Sequence, residues 1–168
     1  ASAGASIIDA RIHTTRDGMA LDNLLVQDSQ RRPYGDRRLR ARLVKAVESA
    51  LLAEAMPKAP APPPLPRRRA AFAIAPSVIV ADQASSRTTV VEVNARDREG
   101  LLARLALAIH AQGLQVRSAH IATYGERAVD VFYLTRDDGR KLSGDEVATL
   151  REALLAAAAE PERRSHAA

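Results

Sequence analysis

The sequence predicts an α+β fold, an antiparallel sheet with helices on one face. Three features predict it: β-branched runs that alternate, a leucine run at helical spacing, and tight-turn signals between them. The clearest order lies between Thr88 and Asp137. Thr88-Thr89-Val90-Val91-Glu92-Val93-Asn94 reads as a strand, and the charged turn Arg96-Asp97-Arg98-Glu99-Gly100 follows it. Leu101, Leu102, Leu105, Leu107 and Ile109 then recur at helical spacing up to the stop Gln112-Gly113. Leu114 to Thr123 and Arg127 to Thr135 are two more strands, joined through Tyr124-Gly125-Glu126 as a hairpin. The order β-α-β-β opens a ferredoxin-like domain.

From the start of the chain, Ser6 to Thr14 and Met19 to Gln27 are strand candidates. Between them Thr15-Arg16-Asp17-Gly18 supplies the positive-φ positions of a hairpin turn. Asp36 caps a helix expected to run to about Met56, with Leu39, Leu43, Val44, Val47, Leu51 and Leu52 on one face. Met56-Pro57 ends it. Residues 57–70, with Pro60 and Pro62-Pro63-Pro64, read as a semi-rigid extended linker. Ser77 to Ala81 is a short apolar strand, and Asp82 to Arg87 a polar connection. The last helix, from Ser143 to about Glu160, starts on the capping-box signal Ser143-Gly144-Asp145-Glu146 and turns Val147, Leu150, Leu154 and Leu155 inward.

The chain has 168 residues, 46% of them apolar but only 3% aromatic, which gives room for one or two domains with aliphatic, shallow cores. No run approaches the roughly 18 apolar residues that cross a bilayer, and no signal peptide is visible. The absence of cysteine rules out a disulfide framework and a thiolate metal site, as fits a cytoplasmic protein. The chain begins without Met and reads as a fragment. Its net charge of +5 comes from clusters at Arg31-Arg32, Arg37 to Arg42 and Arg67-Arg68-Arg69, beside joins between elements and without interleaved aromatics for base stacking. A solvated surface explains them better than a nucleic-acid site.

An internal repeat organises the whole. Ala10-Arg11-Ile12-His13-Thr14 lines up with Ala119-His120-Ile121-Ala122-Thr123, and Ala20-Leu21-Asp22 with Ala128-Val129-Asp130 after a one-residue deletion in the turn. Each copy ends in an acidic exit and an amphipathic helix. The copies are cut differently. The first lacks an opening strand and helix, and Ser77 to Ala81 is read as its fourth strand, while the second has no closing strand. Such a cut leaves an apolar face and a sheet edge uncovered, so self-association by edge pairing or exchange of elements is expected.

The unit Val93-Asn94-Ala95-Arg96-Asp97-Arg98-Glu99-Gly100-Leu101-Leu102 resembles the first turn of ACT domains, small amino-acid-sensing modules with a βαββαβ fold. Their usual pattern there is Asp-Arg-Pro-Gly-Leu-Leu, and Glu99 stands at the proline position. The run from Ser118 to Tyr133 is similar to the second ACT domain at the C-terminal end of nucleotidyltransferases that modify the PII nitrogen-signalling protein. Ala10 to Asp28 resembles the later part of their first ACT domain. The resemblance implies tandem ferredoxin-like ACT domains, a partial first one over 1–82 and a second over 83–168. It also implies glutamine or another small amino acid as ligand, homo-oligomerisation through sheet edges, and PII as a partner of the intact enzyme. Mg2+ and UTP would serve only catalytic domains outside this chain.

At the turn, Gly100 lets a ligand approach the backbone, and the amides of Leu101 and Leu102 at the helix start suit a carboxylate. Asp97 can answer an ammonium group. Alternatively, Asp97 caps its own helix and Gly100 merely permits the bend. The resemblance adds Asn94, Arg98 and Glu99 to the ligand-binding set, with Ser118, His120 and Thr123 from the strand of a neighbouring domain. His13, His110, His120 and His166 show no metal-ligand spacing. Asp22 and Asp130 hold equivalent places, for which a shared structural job is the simpler reading. No phosphate loop, activated nucleophile or carboxylate cluster is present, so no catalytic residue, metal site or cofactor is assigned. The leading expectation is a regulatory module, and the alternative a structural dimerisation and docking module without ligand.

Overall fold

A computed structural model describes residues 4–15, 17–28, 30, 32–53 and 74–159. The predicted linker over 57–70, the helix end at Met56-Pro57, the Arg67-Arg68-Arg69 run and His166 lie outside these residues. The elements are β1 (Ser6–Thr14), β2 (Ala20–Gln27), α1 (Arg37–Leu51), β3 (Ser77–Val80), β4 (Thr89–Arg96), α2 (Leu101–Ala111), β5 (Gln115–Tyr124), β6 (Arg127–Thr135) and α3 (Gly144–Ala158), with a 3-10 turn at Asp82–Ala84. All six strands join one antiparallel sheet in the order β2-β1-β5-β6-β4-β3. Among the described residues no helix is long and apolar enough to cross a membrane.

Local chemistry accounts for the elements. In the first hairpin Gly18 takes a φ of 87°, and the Thr15 hydroxyl donates to the Met19 carbonyl at 2.9 Å, so the turn closes on residues that tolerate it. Asp36 caps α1 by accepting from the Arg38 and Leu39 amides at 2.8 and 3.0 Å. Ser143 and Glu146 form the full capping box of α3, with the Ser143 amide donating to Glu146 Oε2 at 2.8 Å.

The core sits between the sheet and two helices. Directly paired residues share a face, so Val91 opposite Phe132, Val93 opposite Asp130, and Ile121 opposite Asp130 set one row pattern across β4, β6 and β5. Onto that face Leu101, Leu105 and Ile109 of α2 and Leu150, Leu154 and Ala158 of α3 are buried. Leu105, Leu134 and Leu154 are wholly excluded from water. Lys141 closes the far side, its ammonium donating to the Asp82 and Ser85 carbonyls at 2.7 and 3.1 Å.

The two hairpins meet at β1 and β5. Arg11 lies opposite His120, the residue it matches in the repeat, and Ala10 opposite Ile121 mirrors Ile12 opposite Ala119. The copies therefore meet about a local two-fold axis. Ser118 Oγ donates to the Ile12 carbonyl at 2.8 Å, and Thr14 Oγ1 to the Val116 carbonyl at 3.0 Å, fixing the seam.

Two expectations need correcting. The strand at Ser77–Val80 does not serve the first copy: it pairs with β4, from Ser77 opposite Asn94 to Val80 opposite Val91, at the outer edge of the second. The connection through the 3-10 turn is short, and the antiparallel neighbour it reaches is β4. Helix α1 forms as predicted, but none of its residues is buried. Val44, Val47 and Leu51 are exposed, because no described element covers their face.

Candidate functional site

The turn from β4 into α2 starts the helix on a glycine. Gly100 is the N-cap residue, in the left-handed region at φ 78°, and no side chain caps the helix there. The Arg104 amide donates to the Gly100 carbonyl at 3.0 Å and begins the helical ladder. One correction concerns Leu101: its amide is spent on the Arg98 carbonyl at 3.1 Å, because the turn tightens in front of the helix. The N–H groups of Leu102 and Ala103 remain at the positive end of the helix dipole. Glu99, at the position where ACT domains carry proline, is exposed.

Two neighbours hold the turn. The Asp97 amide donates to the Glu126 carbonyl of the β5–β6 turn at 2.8 Å. Arg98 reaches the end of α3, where its Nη2 donates to the Ala157, Ala158 and Ala159 carbonyls at 3.2, 2.8 and 2.6 Å. Its guanidinium is thus engaged on another helix.

Beneath the helix-bearing face lies Asp130, 2% exposed, with Oδ1 lacking a hydrogen-bond partner. Burial, and next the charge of Asp97, push its carboxyl up to about 7, against the pull of the Ala122 amide. The repeat singles out Asp130 beside Asp22, but only the structure separates them: Asp22 is exposed, since no described strand or helix covers β2 as β4 and α2 cover β6.

The other candidate residues are distributed over both faces. Cross-strand register puts Asn94, Ser118 and His120 on the face away from α2, and Thr123 on the helix side, level with Ala128. Asn94 Nδ2 donates to Glu92 Oε1 at 2.7 Å. His120 Nε2 stands 4.0 Å from Asp9 Oδ2, a long ion-pair distance. Within one chain, then, Asp97, Gly100, Leu101 and Leu102 lie together at the turn, whereas Ser118 and His120 face away from it. No group of three or more His, Asp or Glu among the described residues could hold a metal ion.

A six-stranded antiparallel sheet with three helices, an α+β arrangement, is compatible with the ferredoxin-like form of ACT domains. No family model matches the chain, and no solved structure does. Curated proteins do. The chain is 47% identical over 161 residues to the bifunctional uridylyltransferase/uridylyl-removing enzyme of Erythrobacter litoralis, covering 94% of this chain and 18% of that enzyme. The enzymes of that name from Phenylobacterium zucineum and Novosphingobium aromaticivorans are each 47% identical, over 159 and 168 residues. The likeness read from the residues thus extends along almost the whole chain. The chain spans less than one fifth of the length of these relatives, and is homologous to a segment of them.

Proposed function

We propose that this chain is a glutamine-sensing regulatory part of a bifunctional uridylyltransferase/uridylyl-removing enzyme. The observation that carries the reading is the open start of α2: a left-handed Gly100 without a side-chain cap, amides at the positive helix end, and Asp97 beside them. A free amino acid is a carboxylate and an ammonium on one carbon, and that end of α2 offers a complement to each. The names of the matched relatives support the parent enzyme.

In this reading two ACT domains, with Ser77–Val80 at the outer edge of the second, place the turn of one against the β5-type strand of another. The ligand carboxylate takes the Leu102 and Ala103 amides, Asp97 takes the ammonium, and Ser118, His120 and Thr123 contribute from a neighbouring copy. Glutamine occupancy shifts the balance between adding uridylyl groups to PII and removing them, by its difference in affinity for two arrangements of the modules. UTP and divalent metal belong to catalytic domains outside this chain, and the setting is the cytoplasm. Calorimetry with glutamine, beside glutamate and serine, is the test. Heat and a thermal shift with glutamine are expected, both lost in Gly100→Asp; neither at millimolar glutamine would end the sensing reading.

A specific observation favours a second reading, a structural association module. Leu21, Leu24 and Leu25 of β2 are 63, 49 and 58% exposed beside an open strand edge. Association that survives Gly100→Asp, without any ligand effect in the parent chain, would support it. A monomer by light scattering at tens of micromolar would count against it.

A further inference from the structure

Among the described residues, helix α3 has no means of its own to satisfy its last carbonyls. Its final turn holds no basic residue, and the cap position, Ala159, is extended with its amide on the Leu155 carbonyl. Terminal carbonyls normally find a glycine-based motif, a local cation or water. Here three of them accept from one distant guanidinium nitrogen, Nη2 of Arg98. A cation at that end also meets the negative pole of the helix.

The donor's position in the chain gives the contact further consequence. Arg98 stands inside the turn that opens α2, and its own carbonyl accepts the Leu101 amide. The backbone of Arg98 therefore fixes where α2 starts, while its side chain is fastened to the end of α3. Together with the Asp97 bond to Glu126 and the buried side chain of Leu101, this clasp holds the turn against the rest of the fold. We infer that Arg98 is a positioning residue that couples the α2 turn to the end of α3, so that ligand-ready geometry at the turn and closure of α3's last turn stabilise each other. The inference rests on the reading of that turn as an amino-acid site.

Thermodynamic reciprocity makes the coupling measurable from both ends. A clasp that served only the stability of α3 would leave ligand affinity alone. Hydrogen exchange at the Ala157, Ala158 and Ala159 amides, followed with and without saturating L-glutamine, reads one end; calorimetric titration of wild type, Arg98→Met and Arg98→Lys reads the other. Glutamine is expected to slow exchange at these amides. Arg98→Met is expected to weaken glutamine binding by about tenfold and to remove that protection, with Arg98→Lys weakened less. Wild type that binds glutamine while exchange at the end of α3 stays unchanged overturns the coupling and leaves the sensing reading standing. So does affinity within twofold of wild type in Arg98→Met or, should that variant not fold, in Arg98→Lys. Wild type that binds no glutamine overturns the sensing reading, and the coupling with it.

Discussion

The two hairpins of this chain carry the same pattern and meet different fates. Leu24 in β2 matches Phe132 in β6, yet the first is 49% exposed and the second 3%. Helix α1 matches α3, and it buries no residue where α3 buries Leu150, Leu154 and Ala158. What separates the copies is a single strand–helix unit, β4 with α2, which pairs with β6 and lies over its face. Alternation and caps suffice to form a hairpin and a helix. Burial, and the shifted chemistry that follows from it, come from the neighbour.

Core truncation should break the symmetry most strongly. Leu105→Ala, at a site with no solvent exposure, is expected to cost about 2–5 kcal/mol in urea unfolding. Leu51→Ala, at a residue 80% exposed, should stay within about 0.5 kcal/mol. Comparable losses would mean that the first half is covered in solution. A pH series sharpens the contrast between the matched aspartates. The folded pKa of Asp130, about 7, lies above the ordinary 3.8, so the native state holds an extra proton between those values. Its contribution is therefore lost as pH rises from about 4 to about 7 and is flat beyond, a span on the order of a few kcal/mol. Asp130→Asn should remove this slope and stabilise the fold at pH 8. Asp22→Asn should leave the slope in place, and a matching change there would show that Asp22 is buried too.

At the turn, Gly100→Ala forces a side chain into φ 78° and should cost about 1–2 kcal/mol by thermal unfolding, together with glutamine binding. The smallest effect separates the helix caps. Ser143→Ala should lower global stability by about 1 kcal/mol, whereas Asp36→Ala should reduce helicity by circular dichroism without moving the main unfolding transition. Equal shifts in that transition would place α1 in the same cooperative unit as α3.

Most of the fold was legible in the sequence because it rests on local rules. The Asp17-Gly18 turn, the Gly100 and Gly113 boundaries of α2, and the Ser143 capping box all act within a few residues of themselves. The repeat likewise singled out Arg11 and His120, which then proved to be partners across the seam. The position of Ser77–Val80 was misread, because edge strands are chosen by whichever neighbour the connection can reach. The clasp of Arg98 carried no local signal, since its acceptors are backbone carbonyls of alanines 59 to 61 residues away.

The residues alone determined the strands, the helices, their turns and the kinship with a much longer enzyme, for those depend on short-range propensity and on pattern. Tertiary structure alone decided which hairpin is covered, which aspartate loses its water, and which helix end Arg98 serves. Those outcomes depend on electrostatic and packing energies between segments far apart in the chain, which no local window contains.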